Sequence, residues 1–113
     1  MERWLLTLES NCADPARETE FNEWYDRVHL PDVLETPGIM RASRYQSFNP
    51  PEGQPKFLAV YEAETEDFNQ LMAAFSETVN SIFAKGRMSE LAVVVGMRIY
   101  KQITPPIEGR KTS

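Results

Sequence analysis

Residues 57–86, FLAVYEAETEDFNQLMAAFSETVNSIFAKG, contain a strand that switches into a helix, and the rest of the chain orders itself around that switch. Phe57–Glu62 reads as a strand that is apolar on both faces: Phe57, Ala59 and Tyr61 on one, Leu58 and Val60 on the other. Thr65 is the expected N-cap of the helix that follows, with Glu66 and Asp67 in its first turn. Phe68, Leu71, Phe75, Val79 and Ile82 then keep helical spacing up to Gly86, the expected C-cap, with Ser76 a candidate break.

Upstream, Asn49–Pro55 holds three prolines and a glycine and reads as a surface loop. Ile39–Phe48 before it is a strand with Ala42 and Arg44 on one face, and Pro37-Gly38 reverses the chain ahead of that. Asp14-Pro15 is a helix start, and the helix runs to about Val28–Leu30 with an apolar stripe of Phe21, Trp24, Tyr25 and Val28. Pro31 disfavours helical geometry at Leu30 and should end or kink it. Arg3–Glu9 is the first strand and Leu91–Ile103 the last. Residues 1–104 form one domain, and residues 105–113 a tail that orders only against a partner.

The element order is βαββαβ, which specifies an α+β, ferredoxin-like fold: a four-stranded antiparallel sheet with both helices on one face. The uncovered face of such a sheet should alternate apolar with polar residues. Leu5, Leu58, Val60, Val93 and Val95 break that alternation. A homodimer whose sheets pack face to face would bury the excess, through Leu5 or its neighbours, Val60 or Tyr61, and Val93–Val95.

Composition narrows the function classes. Twelve Lys and Arg against seventeen Asp and Glu give a net charge of −5, which speaks against nucleic acid and anionic membrane as partners. One cysteine, Cys12, and one histidine cannot build a zinc cage, so no metal is expected. With no long apolar run and no signal-like start, the expected compartment is the cytoplasm.

The chemistry-bearing residues concentrate in Asn22-Glu23-Trp24-Tyr25-Asp26-Arg27-Val28-His29-Leu30-Pro31-Asp32. At 100° per residue, Tyr25 lies one turn before His29 and about 40° from it. Asn22 shares that side, with Asp26 three residues before His29 and Asp32 three after. A base that titrates near neutrality, a phenol donor and an acid to orient the ring make up a proton-transfer set. A histidine in a last helical turn can equally be a cap on free carbonyls, and Trp24 can be plain core. Arg44 and Arg98 lie mid-strand, where a charge needs solvent, an acid or a ligand anion. Tyr61 can line a pocket or a core edge.

The run Phe21–Leu34, with Thr36-Pro37-Gly38 and Ser43-Arg44-Tyr45 after it, resembles the EthD-like branch of the dimeric α/β-barrel superfamily. The resemblance implies a homodimer closing a barrel and a small-molecule pocket between each sheet and its helices, faced by His29 with Tyr25 and Trp24 as walls. It also implies a choice of activities. One is a cofactor-independent lyase or isomerase acting on an aromatic or cyclic carboxylate or keto compound. There, His29 is the acid/base, oriented by Asp26 or Asp32; Tyr25 donates to an oxygen gaining charge, and Arg44 or Arg98 holds a carboxylate. The others are a non-catalytic binding or structural dimer and a cofactor-free or haem-dependent monooxygenase. The candidate site is therefore His29, Tyr25, Asp26 and Asp32, with Asn22, Trp24, Arg44, Tyr61 and Arg98 around the ligand.

Overall fold

The computed structural model describes residues 1–110. Its strands are β1 (Glu2–Cys12), β2 (Ile39–Gln46), β3 (Phe57–Thr65) and β4 (Ala92–Lys101). They form one antiparallel sheet in the order β2-β3-β1-β4, with the helices on one face. The first helical region contains α1 (Glu18–Trp24), a π-helical turn (Tyr25–His29) and α2 (Leu30–Val33). The second is the uninterrupted α3 (Phe68–Ala84). The α+β, ferredoxin-like reading holds.

Register assigns each strand residue to a face. Leu6 pairs with both Tyr61 and Ile99, and Tyr61 with Ala42, so this row faces the helices. Arg44 pairs with Ala59, and Ser10 with Phe57, so they face the helices too. Thr7, Val60 and Arg98 form a row on the opposite, open face. Tyr61 therefore cannot belong to the surface that the unbroken apolar pattern of the strands assigned to a dimer. The core between sheet and helices includes Leu6, Phe21, Val33, Leu71 and Ile82.

Several boundaries differ from the sequence reading for physical reasons. Thr65 is the last residue of β3 rather than the helix cap. Asp67 caps α3, its Oδ1 accepting from the amides of Asn69 at 3.0 Å and Gln70 at 3.2 Å. Ser76 breaks nothing, because the apolar residues on both sides of it anchor α3 to the sheet. Gly86 does end that helix: at φ 68° its amide donates to the Phe83 carbonyl and that of Arg87 to the Ile82 carbonyl, which satisfies two carbonyls of the last turn.

Pro31 does not end the first helical region. The residues buried there are Phe21, Tyr25, His29 and Val33, four apart throughout, whereas an α-helix turns every 3.6 residues and would carry such a row out of the core. A turn with i→i+5 bonding holds more residues and brings the row back. The Leu30 amide accordingly donates to the carbonyl of Tyr25, five residues back. The missing amide of Pro31 falls at the seam between the two bonding patterns, so the chain stays helical.

β4 is exposed and apolar on both faces, at Val93 and Tyr100 on one side and Val94, Met97 and Ile99 on the other, with Val95 at a register shift between them. The chain after Gln102 has no regular secondary structure as far as Arg110, with Ile103 and Ile107 exposed. The expected tail is described only to Arg110; residues 111–113 lie outside the described part.

Gly38 links the helical region to β2 at φ 97°, and a Cβ there would lie 3.0 Å from Leu71 Cδ1 and 3.2 Å from the Glu64 carbonyl. Gly38→Ala is expected to cost roughly 1 kcal/mol or more, from backbone strain and the clash together. Urea unfolding that leaves the midpoint unchanged would refute this.

Candidate functional site

The π turn presents Tyr25 and His29 to the middle of the sheet, where β1 contributes Ser10, β2 Arg44 and β3 Phe57, Ala59 and Tyr61. Ala59 lies between Phe57 and Tyr61 on the same face, and its small side chain leaves room for the larger rings around it.

His29 is 9% exposed. The Trp24 ring stacks on it at 4.8 Å between centroids, and Tyr25 meets it edge-on at 5.0 Å. Trp24 is fixed in turn by its Nε1, which donates to the Arg87 carbonyl at 2.9 Å. Nδ1 of His29 is buried and has no hydrogen-bond partner among the described residues.

Neither expected acid orients that imidazole. Asp26 is turned outward, its side chain 59% exposed, and its Oδ1 accepts from Arg44 Nη1 at 2.9 Å. Asp32 accepts from Arg87 with both oxygens, at 2.6 and 3.2 Å. Each carboxylate is held by an arginine from a distant part of the chain, and only the field of Asp32 reaches the ring. Burial holds the His29 pKa below the ordinary histidine value; Asp32 offsets part of this and Arg44 adds to it. The imidazole is therefore neutral at pH 7 and has a ring nitrogen able to take a proton.

Arg44 crosses from the sheet to the helix with its side chain only 12% exposed. Besides Asp26, it donates from Nη2 to Asn22 Oδ1 at 2.9 Å. Its guanidinium lies 4.3 Å from the centre of the Tyr25 ring, a cation–π contact worth about 0.5–2 kcal/mol. Nε is buried and unpartnered. A shallow groove of about 410 Å³, lined by Asn22, Asp26, Leu30, Arg44, Gln46 and Phe57 among others, leads from the surface to this guanidinium.

Beneath Arg44 the hydroxyls of Tyr25, Tyr61 and Ser10 face one another. Those of Tyr61 and Ser10, on residues 1% and 2% exposed, close no hydrogen bond. Burial pushes both tyrosine pKa values up, against a smaller downward pull from Arg44, so both phenols stay protonated. The structure thus brings His29, Tyr25, Trp24, Asn22, Arg44 and Tyr61 together. Arg98 is on the open face and exposed, so it is not part of this cluster. Ser10 escaped the sequence reading: alternation along β1 puts it on the helix face, but nothing local marks a serine there as more than a satisfied core hydroxyl.

Among the described residues no three His, Cys, Asp or Glu side chains gather in a way that could hold a metal, and no helix is long and apolar enough to cross a membrane.

The sequence matches no family model and no curated protein. Solved structures do match over nearly the whole chain. A dimeric ferredoxin-like protein from an uncultured marine organism superposes with a TM-score of 0.68 at 16% identity, covering 94% of this chain and 99% of that one. An EthD family protein from Bacillus halodurans gives 0.54 at 19% identity, over 91% and 100%. An antibiotic-biosynthesis monooxygenase-type protein from Bordetella bronchiseptica gives 0.63 at 14%, over 94% and 100%. The chain has the fold of the EthD-like, dimeric ferredoxin-like proteins. At these identities the likeness is one of fold.

His29 is the only histidine, so a proton NMR titration reads one imidazole without assignment ambiguity. Its midpoint is expected below 6.5. The unfolded chain then binds a proton that the folded chain refuses, so stability is full above pH 6.5 and falls as pH drops toward the depressed folded value. A midpoint at or above 6.5 would show that Asp32 outweighs burial.

Proposed function

We propose that this chain works as a homodimeric, cofactor-independent enzyme that moves a proton on an aromatic or cyclic carboxylate or keto compound, with His29 as the acid/base. One observation carries the reading: the sole histidine is buried, neutral and unengaged by any acid, yet is clamped in orientation by Trp24 and Tyr25. A cap would spend its ring nitrogens on helix carbonyls, and His29 makes no such bond among the described residues. Such a base can break a C–H bond beside a carbonyl: the proton goes to the unprotonated ring nitrogen, the C–H pair becomes the enol double bond, and the carbonyl pair moves onto oxygen. Returning the proton to a different carbon completes an isomerisation.

Support for the dimer comes from the open sheet face, where Leu5, Leu58 and Val60 lie among exposed Val93 and Tyr100, and from the dimeric description of the marine ferredoxin-like neighbour. The monooxygenase-type neighbour favours a second reading, in which the same deprotonated carbon is handed to dioxygen.

The test is deuterium uptake from heavy water into a panel of cyclic ketones and aromatic keto acids. Wild type should accelerate exchange, and His29→Ala should lose roughly 10²–10⁴-fold while melting close to wild type. Exchange unaffected by the substitution sinks the assignment. Oxygen consumption with the same panel separates the oxygenase reading. Sedimentation at micromolar concentration should give twice the 13.0 kDa chain mass; a clean monomer would remove the dimer.

A further inference from the structure

The base accounts for only part of the buried polar cluster. Ser10, Tyr25 and Tyr61 converge from β1, the π turn and β3, and a hydrophobic core gains nothing from three hydroxyls at that point. Leaving a buried donor unsatisfied costs roughly 1–3 kcal/mol. Here the Tyr61 and Ser10 hydroxyls and Arg44 Nε are all buried without a well-formed partner, both hydroxyls lying within reach of Tyr25.

The balance of donors and acceptors indicates what would satisfy them. The phenols and the serine can each donate one hydrogen, and Arg44 brings a further N–H and a positive charge. No carboxylate faces inward: Asp26 is outside on the far end of the guanidinium and Asp32 is held by Arg87. A region rich in donors, positively charged and free of anionic acceptors suits an oxygen carrying negative charge better than a cation.

We propose that Ser10, Tyr25 and Tyr61 form a hydroxyl cluster that holds a resonance-stabilised oxyanion, an enolate or phenolate oxygen of the ligand, beneath the Arg44 guanidinium. This deepens the acid/base reading above and rests on it. The surface groove is lined by Arg44, whose guanidinium lies over the Tyr25 ring, so in this proposal the ligand enters past Arg44 with its oxygen leading. His29 is then beside the carbon framework, and the two tasks divide: the imidazole takes the proton while the hydroxyls receive the charge that the departing proton leaves behind. The substrate class narrows to compounds whose carbonyl becomes an enolate or whose hydroxyl ionises readily. Carboxylates held only by a surface arginine fall outside it.

4-Nitrophenol is the probe, because its phenolate absorbs visibly and its phenol does not. Wild type should bind phenolate over phenol by roughly 10–100-fold, seen as a lowered apparent pKa of the bound probe. Tyr61→Phe and Ser10→Ala should each lose roughly tenfold of that preference, while Tyr100→Phe, on the open face, should keep it. Tyr61→Phe retains the buried ring and Ser10→Ala removes one atom; melting temperatures confirm that both fold. A wild type without preference for the phenolate overturns the proposal even if deuterium exchange depends on His29. Preference that persists undiminished in both variants overturns it as well. If the preference is present and falls in both variants while exchange ignores His29, the oxyanion cluster stands and the assignment of the base fails.

Discussion

A row of buried side chains spaced by four, Phe21, Tyr25, His29 and Val33, has to stay on one side of a helix that repeats every 3.6 residues. The π turn at Tyr25–His29 is how the backbone meets that demand, and most of the site follows from it. With continuous α geometry, His29 would rotate away from Tyr25 toward the surface. With the wider turn, Tyr25 and His29 both point inward, Trp24 comes to lie over the imidazole, and Asp26 turns out to where Arg44 can reach it. Wide turns of this kind occur often at functional sites, because they redirect one or two side chains without ending the helix.

Arg44 is the counterpart of that turn on the sheet. Burying a guanidinium is costly unless its donors are met, and Asn22 and Asp26 meet the two outermost while Tyr25 offers its ring face. The same charge depresses the imidazole and draws the phenols down slightly against the larger effect of burial. One side chain thus fastens α1 to β2 and sets the sign of the field inside the cluster.

Much of this was legible in the sequence, and the exceptions share a cause. Strand alternation put Arg44 on the face of Ala42, and helical spacing put Asn22, Tyr25 and His29 on one edge; both depend on neighbours a few residues away. Asp26 and Asp32 were read as partners of His29 because they are close in sequence, whereas Arg44 and Arg87 reach them from 18 and 55 residues away. Arg98 failed on parity: it shares a row with Thr7, and the register that fixes the row comes from pairing across strands. The four-residue spacing was visible throughout. The apolar stripe through Trp24 and Val28 masked it, because a histidine is seldom counted as part of a core row.

Gly86 lies far from the imidazole in sequence, yet the two are geared together. Its left-handed turn sends the chain back so that the Arg87 carbonyl receives the Trp24 indole while the Arg87 side chain grips Asp32. One residue therefore holds both the ring that stacks on His29 and the acid whose field reaches it. The end of α3 works as a tuning peg: a substitution that lets this turn relax would loosen the indole and shift the acid in the same stroke, and the basicity of His29 would drift without any change to the residues that touch it.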